Sequence, residues 1–220
     1  MPDVSANCRS APYLPVMMLC CAVLAACGGG GGGNDGPGVG TTLQSVPTPP
    51  QQLGALIGIW TTDCGDGERD VYTISRVSAD TLQLAVKTDY YTSTDCRGVP
   101  TATDEPTAPV QAVYAGTMDA AFVLPGAQAA SMVKVDRLAL SIAARTSRVS
   151  GPGVTRVAQP DGTTKACFTP ADGGTLCIGE SFMLPASTSS TAVYVYGNEM
   201  VTLAPNGATF EIEQHLTRVF

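Results

Sequence analysis

A chain of 220 residues with 12 Lys and Arg against 19 Asp and Glu carries a formal charge of −7. That balance argues against nucleic acid and anionic lipid head groups as partners, since both are met by basic surface. A hydrophobic fraction of 44% is enough for a sizeable core, and the single histidine, His215, excludes a multi-histidine metal site.

The chain opens with Arg9 as its only early basic residue, opposed by Asp3, and an apolar run from Val16 to Ala26. About 11 residues are too few to cross a bilayer, which takes about 20, but they suit the middle of a secretory signal. The run ends in Leu24-Ala25-Ala26-Cys27, followed by six glycines. This tetrapeptide resembles the lipobox of bacterial lipoproteins. The resemblance implies a signal peptide over residues 1–26, cleavage before Cys27, a diacylglyceryl thioether on its sulfur and a palmitate-type acyl group on its freed amine. Each buried methylene adds about 0.8 kcal/mol and stable anchoring takes more than one chain, a condition that a triacylated cysteine meets. Gly28 rather than aspartate follows Cys27. In the lipoproteins it resembles, that points to the outer membrane of the bacterial envelope.

Residues 27–52, rich in Gly, Pro, Ser and Thr, show no apolar periodicity and read as a disordered tether. Some 25 such residues reach on the order of 25–30 Å. The glycines are not a phosphate loop, because neither a preceding strand nor a following Gly-Lys-Ser/Thr accompanies them. Residues 53–220 have the size of one domain.

That domain alternates β-type runs with turn signals. After Leu53 to Trp60 come Val71 to Val77, and Thr81 to Lys87 with Leu82, Leu84 and Val86 on one face. Further runs are Val110 to Tyr114, Ser131 to Val135, Leu138 to Ala143, Val154 to Val157, Lys165 to Thr169 and Thr175 to Ile178. The last are Ala192 to Tyr196, Met200 to Leu203 and Thr209 to Val219. Asp161-Gly162, Gly197-Asn198 and Asn206-Gly207 supply turn chemistry. Asp119 to Met132 is Ala-rich but interrupted by Pro125-Gly126, which predicts a turn or short helix. Val99 to Pro109 reads as a mobile loop. Some nine or ten strands at this spacing predict an all-β fold, either a single antiparallel up-and-down barrel or a two-sheet sandwich.

Gly58-x-Trp60, with the only tryptophan of the chain, resembles the calycin and lipocalin signature. The resemblance implies a barrel whose tryptophan closes one end while an arginine of the last strand packs over it. Arg218 stands where that arginine is expected. The order Gly-x-Trp, then Cys64, then short strands also resembles a group of small bacterial lipoproteins of unknown function.

Setting aside Cys8, Cys20 and Cys21 before the cleavage point and the lipidated Cys27, four cysteines remain: Cys64, Cys96, Cys167 and Cys177. An even count in an exported protein suggests two disulfides. Three connectivities are open; Cys64–Cys96 and Cys167–Cys177 are favoured because each pair brackets neighbouring strands. Zinc is disfavoured because Cys167 and Cys177 are too far apart for a close ligand pair. The acidic loop Asp63, Asp66, Glu68, Asp70 lacks the spacing of a calcium loop and reads as a solvated turn. On the last strand, alternation places Phe210, Ile212, Gln214, Leu216 and Arg218 on one face and His215 on a more polar, exposed one. Tyr114, Tyr194 and Tyr196 are candidates for lining a ligand site, although barrel staves use the same residues.

No cofactor or metal is expected, and no motif marks an enzyme. The favoured expectation is a membrane-anchored, non-catalytic binding module for a small apolar ligand or an envelope protein. An envelope hydrolase and a structural or inhibitory module are the alternatives.

Overall fold

The computed structural model describes residues 53–180, 182–206 and 209–220. The expected signal peptide, Cys27 and the tether lie outside the described residues. Among the latter, one helical turn, α1 (Leu53–Leu56), precedes thirteen strands. These are β1 (Gly58–Thr62), β2 (Glu68–Arg76), β3 (Thr81–Tyr90), β4 (Ala102–Pro106), β5 (Val110–Phe122), β6 (Ser131–Ile142) and β7 (Ser147–Ser150). They continue with β8 (Thr155–Ala158), β9 (Thr164–Phe168), β10 (Leu176–Gly179), β11 (Ser187–Tyr196), β12 (Glu199–Asn206) and β13 (Thr209–Val219). The fold is all-β and its pairings are antiparallel.

Ten strands form one sheet in the order β2-β1-β13-β12-β11-β6-β5-β3-β4-β7, and β3 also pairs with β2. The large sheet therefore rings in part, with strands that neighbour each other in sequence pairing in turn. Strand β3 divides between partners: Thr81 to Leu84 pair with β5, while Thr88 to Tyr90 pair with β4. A smaller sheet, β10-β9-β8, stands apart from this ladder.

Three apolar clusters hold the fold. The first joins Leu53 and Leu56 of α1 to Trp60, Ile74, Leu82, Ala112, Leu138, Val193, Met200 and Leu216. The second joins Ala120, Phe122, Val135, Ala192, Val201 and Leu203, with Phe210 and Ile212 against it. Since strand side chains alternate, Val193 and Ala192, or Met200 and Val201, point to opposite faces. Strands β11 and β12 are therefore apolar on both faces, one turned to the first cluster and the other to the far half of the β5–β6 hairpin. The third cluster packs Tyr90, Ala102 and Val149 against Ala166 and Phe168 of the small sheet.

Two bulges make this arrangement possible. On β13, Gln214 pairs with Thr202 but Ile212 pairs with Leu203, so Glu213 is an extra residue. One inserted residue reverses the facing of everything beyond it. Gln214, Leu216 and Arg218 thus share the first cluster's side, whereas Phe210 and Ile212 join the second. The single face expected from alternation is corrected accordingly. On β5, Ala115 and Gly116 together oppose Arg137 alone, and Gly116 has φ +93°, which favours glycine. Met118, Ala120 and Phe122 are thereby switched to the second cluster.

Other expectations change as well. The Ala-rich stretch is the end of a hairpin, with strand to Phe122 and again from Ser131, and no helix between them. The segment expected to be a mobile loop contains β4, which is paired on both sides. Ala-Thr-Asp-Glu-Pro has weak strand preference by itself. It is held because Ala102 is buried in the third cluster and Thr103 Oγ1 donates to Asp89 at 2.7 Å.

Candidate functional site

The first site feature lies where α1 meets β1 and β13. Trp60 is the direct cross-strand partner of Arg218 on one side and Tyr72 on the other. Its side chain is fully buried, and the guanidinium carbon of Arg218 lies 4.4 Å from the indole centroid. The indole N–H donates to the Leu56 carbonyl at 2.8 Å, and an Arg218 N–H donates to the Ala55 carbonyl. A helix end leaves its last carbonyls unpaired. Here two carbonyls of α1 receive the two polar groups of the pair, which ties α1 to β1 and β13. The structure therefore brings together the two residues singled out by the Gly-x-Trp signature.

Inward-facing positions on these strands differ in burial. Ile74, Leu82, Leu138 and Leu216 are buried, whereas Tyr72, Leu84, Leu140 and Gln214, on the same faces, are half-buried. Among these, Tyr72 donates its hydroxyl to Gln214 Oε1 at 2.9 Å. Burial and the neighbouring Asp70 carboxylate push the Tyr72 phenol up from its ordinary range. Asp70 accepts from Thr88 at 2.6 Å, and its backbone N–H donates to Thr62 Oγ1. Burial outweighs that hydrogen bond and raises the Asp70 carboxyl.

The three tyrosines do not share one site. Tyr114 packs against the first cluster, where burial and Asp136 raise its phenol. Tyr194 and Tyr196 belong to the second cluster, stacked at 5.7 Å, with Phe122 edge-on to Tyr194 at 6.0 Å. Sheet alternation separates the two groups.

The cysteines are brought together as Cys64–Cys96 and Cys167–Cys177, with S–S distances of 1.98 and 2.07 Å. In the acidic loop, Gly65 and Glu68 exchange backbone hydrogen bonds. Burial, then Asp70, Asp66 and Asp172, raise the Glu68 carboxyl. Among the described residues, no group of three or more His, Cys, Asp or Glu is placed to hold a metal.

His215 is half-buried rather than freely exposed. Its Nε2 lies 3.2 Å from Glu199 and its Nδ1 3.6 Å from Asp63. The Tyr196 hydroxyl and His215 together hold the Glu199 carboxyl below its ordinary range. Sequence reading missed this group because its members come from β11, β12, β13 and the β1–β2 loop. The usable signal was Gly197-Asn198, whose turn sets Tyr196 opposite Glu199. Comparison with family models, with curated proteins and with solved structures finds no match to this chain.

Proposed function

We propose that this chain is a lipid-anchored protein of the bacterial envelope, placed at the outer membrane by Cys27. Its β domain is a single up-and-down barrel of the lipocalin kind that serves as a non-catalytic binding module for a small apolar ligand. The pairing of β3 back onto β2 supports closure, and the Trp60–Arg218 contact over α1 supports one sealed end. The observation that carries the reading is the mixed burial of the inward face: Trp60, Ile74, Leu82, Leu138 and Leu216 are buried, while Tyr72, Leu84, Leu140 and Gln214 on the same faces are half-buried aliphatic and polar positions. Ligand sites are concave, mostly apolar and supplied with a few convergent polar groups.

The test is a titration of the purified full chain, with Cys27→Ser, against Nile red. Saturable, blue-shifted emission at one site per chain is expected; an unsaturable or absent response refutes the ligand reading. The anchor is tested separately by incorporation of labelled palmitate in cells, which Cys27→Ser should abolish. Label that persists in that variant overturns the anchor.

A protein partner is the second reading, supported by Phe182 and Met183. They sit side by side between β10 and β11, 68% and 58% exposed. Photocrosslinking from position 183 in cells should then give one discrete adduct. A smear or no adduct counts against it.

A further inference from the structure

We infer that the open half of the ring takes a neutral amphiphile carrying hydroxyl groups along one side, and that it discriminates against fatty carboxylates. This rests on the barrel reading above and specifies its ligand. The inward positions of this half divide into two unlike walls. On β3, β5 and β6 the wall is aliphatic: Val110 is the direct partner of both Leu84 and Ile142, and Leu140 follows on the same face. On β11, β12, β13 and β2 the wall bears Thr191, Thr202, Gln214 and Tyr72, with Thr202 and Gln214 directly paired.

The polar wall has spare hydrogen-bonding capacity. Thr202 Oγ1 is buried without a hydrogen-bond partner among the described residues. Gln214 spends its amide oxygen on the Tyr72 hydroxyl, leaving two amide N–H donors. Unpaired buried polar groups are costly, and a ligand that supplies their partners recovers that cost. A hydroxyl both donates and accepts, so it satisfies Thr202 and Gln214 alike, while an alkyl face covers Leu84, Leu140 and Ile142.

Charge decides against a carboxylate head. Asp70 is an inward carboxylate of this half, Asp104 stands on the same face across Thr88, and no inward position there is Lys or Arg among the described residues. Arg218, at the opposite end, is already held by Trp60 and the Ala55 carbonyl. A further carboxylate entering beside Asp70 meets like charge at low dielectric with no cation to offset it.

The experiment displaces Nile red from the full chain carrying Cys27→Ser, using two competitors with the same 12-carbon acyl chain below their critical micelle concentrations. The neutral glycerol monoester of dodecanoic acid should displace the dye at a concentration at least tenfold lower than dodecanoate. Thr202→Val and Gln214→Met, each checked for an unchanged circular dichroism spectrum, should shrink that ratio at least threefold. Equal or stronger displacement by dodecanoate, or a ratio untouched in both variants, overturns the inference while leaving the binding reading in place. No dye binding at all removes both.

Discussion

Arg218 covers Trp60 because the two are register partners on β13 and β1, and each also donates to a carbonyl of α1. The contact therefore joins the last strand, the first strand and the chain that enters the domain. Replacing Arg218 by Met keeps much of the aliphatic stem but removes the cation and its hydrogen bond. We expect a loss of about 2 kcal/mol, combining a cation–π contact with a charged hydrogen bond at a partly exposed site. Urea denaturation followed by the fluorescence of the only tryptophan measures it. A loss below about 0.5 kcal/mol would show that the pair does not hold α1.

Gly67 is a second point where one atom matters. Its φ is +83°, and a Cβ there would lie 2.5 Å from the Ala171 Cβ. Left-handed backbone costs a residue with a Cβ about 1–2 kcal/mol, and the collision adds to it. Gly67→Ala should lose about 2–3 kcal/mol, whereas Gly65→Ala, with open space around its Cβ, should stay within about 0.5 kcal/mol. Thermal unfolding of both variants checks the contrast, and equal effects would contradict it.

The two disulfides close loops of unlike length, with sequence separations of 32 and 10. Loop entropy assigns about 4 kcal/mol to Cys64–Cys96 and about 3 kcal/mol to Cys167–Cys177. Paired Cys→Ser variants should rank in that order by denaturation midpoint. The reverse order would mean that packing of the third cluster, where Cys167 adjoins Ala166 and Phe168, outweighs the entropy of the unfolded chain.

The carboxylates predict an acidic stability optimum. Burial raises Glu68, Asp70, Asp104 and Asp136 above their ordinary range. For such groups the folded state binds more protons than the unfolded state, so stability falls as pH rises from the unfolded value through the folded one. Hydrogen bonds lower Asp80, Asp95, Asp161 and Glu199, whose contribution is lost as pH falls below the ordinary range. The melting temperature should therefore peak near about pH 4–5, between the two sets. Asp136→Asn should raise it at pH 7, because Asp136 Oδ1 is buried without a partner among the described residues. A midpoint that climbs steadily to pH 7, or a destabilised Asp136→Asn, would go against this account.

Much of the architecture was legible one strand at a time. Period-two alternation in Thr81 to Lys87 and turn pairs such as Gly197-Asn198 are local signals, and β3 and the β11–β12 hairpin follow them. What failed were segments whose strand state depends on partners far along the chain. β4 has little apolar content and exists through its pairing with β3 and β7. Residues 115–122 continue β5 past a bulge that local pattern reading takes for the end of a strand. The candidate site divided in the same way. Trp60 and Arg218 were named from a short motif and do meet, while the three tyrosines were grouped by residue type and fell on opposite faces of one sheet.

The amino-acid order alone determined the all-β character, the acidic surface charge and the apolar run ending at Cys27, because alternation, composition and run length are properties of neighbouring residues. Tertiary structure decided which face each residue serves. Glu213 and the Ala115-Gly116 pair are single-residue insertions whose effect exists only relative to a partner strand, and each reverses the facing of all that lies beyond it. That reversal turns Phe210 and Phe122 toward the second cluster and leaves Gln214 facing Tyr72, where the polar wall of the proposed site is built.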